Sequence, residues 1–211
     1  METIIIVGLI LSSLAMVFIK RINSLIVLFA LQSLFLFGFS MLEALRTAQV
    51  RLFIISGLIL ILKAILIPFI LRYIVKTIQA DEDLGSVINN WLSLVVAVLL
   101  IYLSWSFSSQ VFARQETLLV VYGTTSFTMI FIGMFIMIFK MKALAQIIGL
   151  LAMENGIFLF ASAISGGMPF LVEMAIFFDV FVAVLILGIF VFRINRLFVG
   201  IDISKLNRLQ G

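Results

Sequence analysis

Seven long apolar segments dominate this chain of 211 residues and restrict the folds that are open to it. They cover residues 3–19, 24–45, 50–76, 87–107, 117–139, 143–164 and 171–193. A transmembrane helix needs about 20 predominantly apolar residues, so each segment has a length that suits one crossing. None shows the alternation of apolar and polar residues that a membrane β-strand requires. The sequence therefore predicts an all-α integral membrane protein with seven transmembrane helices.

The composition excludes a soluble globular domain and several kinds of cofactor site. Hydrophobic residues make up 64% of the chain and charged residues 11%, whereas a soluble domain is about half apolar and a quarter charged. Cys and His are both absent, which excludes iron–sulfur ligation, haem with a Cys or His axial ligand, the usual zinc sites and disulfides. We therefore expect no cofactor and no metal in this chain. The net charge of +4 is explained by loop charges of a membrane protein, so we expect the lipid bilayer and no nucleic acid as a partner.

The charges between the apolar segments predict the domains and the orientation. An acidic cluster at 81–83 divides the chain into a three-helix half (1–80), a linker with a fourth helix (81–113) and a second three-helix half with a tail (114–211). Ten basic residues fall on one side, namely Lys20, Arg21, Arg72, Lys76, Lys140, Lys142, Arg193, Arg196, Lys205 and Arg208. Three fall on the other, namely Arg46, Arg51 and Arg114. Because basic residues favour the cytoplasmic side, we expect the N-terminus outside and the C-terminus in the cytoplasm, in a 3+1+3 arrangement.

Three ionisable residues lie in the middle of predicted membrane helices. At 1.5 Å per residue, Glu154 is about 18 Å, Asp179 about 21 Å and Lys63 about 14 Å from the cytoplasmic face. In a hydrocarbon core about 30 Å thick, the depths of Lys63 and Glu154 fall in the middle third and that of Asp179 falls at its edge. Ionisable groups at this depth are costly and usually mark ion pathways or proton relays. We therefore predict that Lys63, Glu154 and Asp179 take part in proton or ion translocation, with a purely structural ion pair as the alternative.

Several other polar residues are candidates for supporting roles. Gln32 lies at the same distance after Lys20 as Glu154 does after Lys142. Asn155 is next to Glu154 and is expected to steady it by hydrogen bonding. Gln146 lies two turns before Glu154, as a step toward the cytoplasm, and Glu173 is a candidate exit group near the end of its helix.

Backbone features add two less specific predictions. Pro68 follows Lys63 by five residues and deprives the Ala64 carbonyl of its helical donor, which favours either a water site or an ordinary kink. The small and hydroxyl residues at 123–126 favour tight helix packing over local unwinding.

The two three-helix halves show a weak internal similarity. A basic turn precedes the second helix of each half, at Lys20 and at Lys142. Ser40 and Ser162 keep the same offset as these lysines. Side-chain identity between the halves is low, so the pattern suggests a repeat without demonstrating one.

The segment 118–196 resembles the K subunit of complex I and the C subunit of multi-subunit cation/proton antiporters. The resemblance rests on a basic loop with Lys140 and Lys142, a helix with Glu154 in the order Met-Glu-Asn-Gly, and a last helix with Asp179 before a basic tail. It implies that Glu154 and Asp179 are the proton-carrying carboxylates. The second carboxylate is usually Glu in complex I, so Asp179 departs from the pattern by one methylene.

The whole chain resembles component E of the membrane complexes of hydrogenase-4 type. The segment 62–68 with Lys63 and Pro68, the Met-Glu-Asn-Gly motif and the tail 201–208 carry this resemblance. It implies a non-catalytic membrane-arm subunit of a group 4 nickel–iron hydrogenase (formate hydrogenlyase type), coupling electron transfer to proton or sodium movement. It also implies that the chain is a multi-pass protein of a prokaryotic cytoplasmic (inner) membrane. The implied partners are antiporter-like and complex I-like membrane subunits and a peripheral hydrogenase arm, which would hold the nickel–iron centre and iron–sulfur clusters. A subunit of a multi-subunit cation/proton antiporter, a stand-alone 3-1-3 secondary transporter and a scaffold remain as alternatives.

Overall fold

The computed structural model describes residues 2–77, 84–85, 89–113 and 117–165, which form helices joined by short turns. The helices are α1 (Glu2–Phe18), α2 (Ile22–Thr47), α3 (Val50–Leu58), α4 (Ile67–Thr77), α5 (Asn90–Val111), α6 (Thr117–Phe139) and α7 (Ala143–Ser165). A π-helical segment, Ile59–Leu66, joins α3 to α4, so that Val50–Thr77 is one continuous span. Five of these spans are long and apolar enough to cross a membrane.

The predicted apolar segments correspond to these helices within a few residues. The all-helical class is confirmed for the described residues, and so is the presence of several apolar helices of membrane-spanning length. Helix α1 has 17 residues and is the shortest of the apolar spans. The predicted span 171–193 lies outside the described residues, as do Asp179 and Glu173.

Apolar side chains cover both the inner and the outer faces of the helices. Large hydrophobic residues on the outside are strongly exposed, among them Ile4, Ile61, Phe69 and Trp91. A helix that is hydrophobic all round needs an apolar environment, which a bilayer supplies. A helix satisfies most of its backbone polar groups internally, as a span through hydrocarbon requires.

Helices α6 and α7 pack closely against each other, because glycines let their backbones approach. A Cβ atom on Gly133 would lie 2.6 Å from the Gly149 carbonyl oxygen, and one on Gly149 would lie 2.8 Å from the Gly133 carbonyl oxygen. Further along, a Cβ on Gly156 would lie 2.8 Å from the Ser126 carbonyl oxygen. Small residues at helix contacts are typical of membrane bundles. The 123–126 segment is regular helix and packs tightly, as predicted: a Cβ on Gly123 would meet Phe112 at 2.7 Å.

Side-chain contacts show which helix ends lie together. Glu2, at the start of α1, forms an ion pair with Arg46 near the end of α2 and accepts a hydrogen bond from the Tyr122 hydroxyl, at the start of α6, at 3.0 Å. We call this end of the bundle the Glu2 end. At the opposite end, Lys140 donates to the Ile19 carbonyl at 2.9 Å. We call that the Lys140 end; there Leu84 also donates its backbone N–H to the Lys20 carbonyl at 2.8 Å.

The buried core consists of two apolar clusters with a polar layer between them. The cluster toward the Glu2 end is built from Ile6, Leu9, Leu36, Phe39, Ile55, Ile59, Tyr122, Met129, Phe158 and Leu159. The cluster toward the Lys140 end includes Met16, Ile26, Phe29, Leu71, Ile132, Ile136, Ala145, Ile148, Leu151 and Ala152. Seven buried polar residues fall in sequence between members of these two clusters, namely Ser12, Ser13, Gln32, Ser33, Lys63, Glu154 and Asn155. The bundle therefore holds a layer of polar side chains at mid-height, with apolar packing above and below.

Candidate functional site

Lys63 is the cation of the polar layer, and it lies in the π-helical segment. Its side chain is almost completely buried, with 1% exposure. The Nζ atom lies 3.6 Å from Oε1 of Glu154 and donates a hydrogen bond to Oδ1 of Asn155 at 3.2 Å. Lys63 thus joins the third membrane span to α7.

Glu154 is the anion of the layer, and its side chain is 2% exposed. Taking two charges out of water is expensive, and an apolar pair of similar volume is often as stable or more stable. A buried ion pair is therefore weak evidence for a stabilising role. Buried ionisable residues in membrane helices generally mark pathways for ions or protons, so the Lys63–Glu154 pair is the best candidate site among the described residues.

Amide and hydroxyl groups extend the layer from Asn155 to α2 and α1. The Asn155 amide donates to Gln32 Oε1 at 3.1 Å and to Ser33 Oγ at 3.2 Å. Gln32 in turn donates to Ser13 Oγ at 2.8 Å, and Ser13 donates to the Leu9 carbonyl at 2.7 Å. The polar side chains of this network have 0% exposure. Full satisfaction of buried polar groups rigidifies such a network and specifies its geometry.

The backbone around Lys63 departs from an α-helix. The π-helical segment ends where the N–H of Ile67 bonds to the Leu62 carbonyl, five residues back. The next residue is Pro68, whose missing N–H would have been the π-type donor to the Lys63 carbonyl. π-Helical turns are rare and frequently occur at functional sites. The sequence left a water site and an ordinary kink at Pro68 as alternatives, and the structure shows in addition a π-helical segment that carries Lys63.

The structure brings together four of the residues predicted from sequence: Lys63, Glu154, Asn155 and Gln32. One detail differs from the prediction. Asn155 bonds to Lys63, Gln32 and Ser33, so it supports the cation of the pair and not the carboxylate. Asp179 and Glu173 lie outside the described residues.

Gln146 does not join the polar layer. Its side chain donates to the Lys140 carbonyl at 3.2 Å, across the turn between α6 and α7. The sequence spacing places Gln146 two turns before Glu154. It does not reveal that the Gln146 side-chain amide donates to the Lys140 carbonyl in the turn.

Sequence reasoning missed Ser13 and Ser33, which complete the layer. A serine in an apolar helix usually bonds to a carbonyl of its own helix, so these residues gave little signal. The adjacent pair Ser12-Ser13 was the one polar interruption in α1, and Ser33 follows Gln32 directly. Reasoning from depth also missed the cluster of Glu2, Arg46 and Tyr122, because its members are far apart in the chain.

Comparison with known proteins gives one informative match. The chain is 26% identical over 204 residues to a protein of Mycobacterium tuberculosis (strain H37Rv) with the name uncharacterized protein Rv0085. The aligned region covers 96% of this chain and 93% of that protein. No protein-family profile and no solved structure matches the chain. The two proteins thus share a similar length and a similarity along almost the whole chain.

Proposed function

We propose that this chain is an ion-translocating or coupling subunit of a multi-subunit membrane complex. The observation that carries the proposal is the Lys63–Glu154 contact, 3.6 Å between two nearly fully buried charges on different spans. Each charge changes the electrostatic energy of the other in a medium of low dielectric constant. A proton or cation that arrives at one group therefore alters the state of its partner, which is the elementary step of coupled translocation.

The proposal includes the seven-span 3+1+3 topology with an outside N-terminus and a cytoplasmic C-terminus. Basic residues at the Lys140 end support this orientation, because that end includes Lys20, Arg21, Lys76, Lys140 and Lys142. Among the described residues, Arg46 and Arg51 are the basic residues at the Glu2 end. The positive-inside rule assigns the Lys140 end to the cytoplasm. In a prokaryote this orientation corresponds to the cytoplasmic membrane.

The kind of complex is proposed from the sequence resemblance to component E of hydrogenase-4 type complexes. In such a complex, partner subunits would carry the nickel–iron centre and the iron–sulfur clusters, since this chain has no Cys and no His. The second carboxylate, Asp179, would act with Glu154 as a proton carrier. Purification of the tagged chain in mild detergent, with nickel and iron analysis of the native-sized assembly, tests this assignment. Nickel together with many irons per chain is the expected result, and a metal-free particle of the size of one or two chains would refute it.

The ion-coupling role has its own test, the variant Glu154→Gln. The expected result in everted membrane vesicles is a large loss of hydrogen-driven acidification, while hydrogen oxidation with an artificial dye continues. The reason is that Gln cannot take up a proton but fills the same volume and keeps polar atoms near Lys63. Gln110→Glu, at an exposed position of α5, is a suitable control for a change of one charge. Equal loss of both activities would contradict coupling and indicate a role in assembly.

A stand-alone transporter built from parallel repeats is a second candidate, and one contact favours it. Ser33 and Asn155 meet although they are 122 residues apart, and this is also the separation of Lys20 from Lys142. Equivalent positions of two parallel repeats meet near their common axis, where transporters bind their substrates. The same purification distinguishes the candidates, because a stand-alone transporter would be a small metal-free particle. A large assembly without nickel would instead favour a multi-subunit cation/proton antiporter.

A further inference from the structure

The hydrogen bonds between Lys63 and α1 all point in one direction. Lys63 donates to Asn155 Oδ1, Asn155 donates to Gln32 Oε1, Gln32 donates to Ser13 Oγ, and Ser13 donates to the Leu9 carbonyl. The donor–acceptor distances along this series are 3.2, 3.1, 2.8 and 2.7 Å. We call these four bonds the relay.

The direction of the relay is determined at its α1 end. A serine hydroxyl has a single proton, and Ser13 gives that proton to the Leu9 carbonyl. Ser13 Oγ can then only accept, so Gln32 must turn its NH2 group toward it. The carbonyl oxygen of Gln32 consequently faces α7, and Asn155 must turn its NH2 group toward that oxygen. This leaves Asn155 Oδ1 facing the Lys63 ammonium.

The orientation of the Asn155 amide decides whether Lys63 meets an acceptor or a donor. An amide side chain has a carbonyl oxygen on one side and two N–H donors on the other. Rotation of the amide by half a turn would place its NH2 group against the ammonium, where neither group can accept. In a site with 1% exposure or less, water cannot compensate for this loss. Ser33 supports the observed orientation as a second acceptor for the NH2 group.

We propose that Ser13 is a positioning residue for Lys63, which fixes through Gln32 the face of the Asn155 amide that the ammonium meets. The inference deepens the proposed function and rests on it for the role of Lys63 in translocation. Under this proposal α1 helps to shape the ion site, although it contributes no charged group to the polar layer. The hydrogen bonds of Ser13 go to Gln32 and to the Leu9 carbonyl, so its effect reaches Lys63 through the two amides.

Ser12 provides a matched control. It is also buried, with 3% exposure, and also donates to the Leu9 carbonyl, at 3.0 Å. It takes no part in the relay. Ser12→Ala and Ser13→Ala therefore remove the same group from adjacent positions, and only the second change interrupts the relay. Ser13→Thr keeps the hydroxyl and is the conservative variant.

The experiment is solid-state NMR on the full chain in lipid bilayers, with ¹³C in lysine and ¹⁵N in the asparagine side-chain amide. The probe is the dipolar contact between Lys63 Cε and Asn155 Nδ2, which is weak when Oδ1 faces the ammonium and strong when the NH2 group does. It is assigned by its loss in Lys63→Met. We expect Ser13→Ala to raise the ratio of the turned to the observed amide orientation by about fivefold, the factor that corresponds to one net hydrogen bond. Ser12→Ala and Ser13→Thr should keep the ratio of the natural chain.

A second-site variant separates orientation from packing. Glu at position 32 offers an oxygen acceptor to Asn155 whichever way its carboxyl group turns, so its orientation no longer depends on Ser13. We therefore expect Gln32→Glu to restore the observed orientation of the Asn155 amide in the Ser13→Ala background. Failure of this rescue would overturn the proposal, and so would an unchanged orientation ratio in Ser13→Ala or an equal change in Ser12→Ala.

The NMR result does not depend on ion transport, so the two proposals can fail separately. If Glu154→Gln pumped normally, the proposed function would be wrong even with the relay confirmed. If Glu154→Gln stopped pumping while Ser13→Ala and Ser12→Ala gave the same NMR contact, only the positioning role would be wrong. With both correct, Ser13→Ala should lower pumping by the fraction of the observed orientation that is lost, and Ser12→Ala should not lower it.

Discussion

Removal of one charge from the Lys63–Glu154 pair should destabilise the bundle far more than removal of both. In Lys63→Met, the Glu154 carboxylate loses the ammonium 3.6 Å away while it stays buried at 2% exposure. Loss of one partner of a buried pair costs about 3–5 kcal/mol of unfolding free energy. The Asn155 carbonyl also loses its donor, which adds about 1 kcal/mol.

The double variant Lys63→Met with Glu154→Leu removes both charges and keeps similar volumes. Apolar replacements of buried ion pairs are often neutral or stabilising by about 1–4 kcal/mol. We therefore expect the double variant to unfold with a free energy close to that of the natural chain. Glu154→Leu alone should cost less than Lys63→Met, because Lys63 keeps its hydrogen bond to Asn155.

Reversible unfolding in mixed micelles, followed by circular dichroism, measures all four members of this cycle. Lys76→Met, at an exposed position near the end of α4, controls for the loss of a positive charge. A double variant as unstable as the sum of the two single variants would refute the pairing, because independent sites add. A stable double variant that no longer translocates ions would exclude the scaffold alternative, in which the charges only order the bundle.

Two further predictions concern the packing and the orientation. Gly149→Leu should destabilise the bundle by more than about 3 kcal/mol, because even a Cβ at that position meets the Gly133 carbonyl at 2.8 Å. Gly57→Ala should raise the stability by up to about 1 kcal/mol, because nothing lies within 4 Å of a Cβ at that position. Thermal unfolding in detergent compares the two variants. The chain has no Cys, so an introduced cysteine is the single site for a membrane-impermeant maleimide. Thr47→Cys and Thr77→Cys change exposed residues at opposite ends of the bundle. On intact cells only Thr47→Cys should react, and the reverse pattern would invert the proposed topology.

The sequence was sufficient to predict the helices, because apolar length and loop charge are local properties of a chain. Six of the predicted segments match described helices, and 171–193 lies outside the described residues. The charged site was predictable for a related reason. At a rise of 1.5 Å per residue, depth can be counted from the basic turns, which placed Lys63 and Glu154 at similar depth before any contact was known.

The contacts around that pair were not predictable, because they depend on how the helices are rotated and on which acceptors are already occupied. Asn155 was expected to steady Glu154, its neighbour in sequence, but adjacent residues point in different directions on a helix. The amide instead reaches across to Lys63 and Gln32. The π-helical segment was also unpredicted, since Pro68 alone indicates a missing donor and does not reveal how the backbone adjusts.

The two halves of the chain contribute different chemistry to the layer in which they meet. Ser33 and Asn155 are in contact at a separation of 122 residues, which is the separation expected for equivalent positions if the turns at Lys20 and Lys142 correspond. By the same offset Gln32 corresponds to Glu154, so the first half has a neutral amide where the second half has a carboxylate. The cation, Lys63, comes from the third span of the first half. A carboxylate at position 32 as well as at 154 would place like charges near each other, which is unfavourable in a medium of low dielectric constant. With an amide at Gln32 and a carboxylate at Glu154 this repulsion is absent, and a single lysine contacts both α7 residues while the amide fixes the geometry.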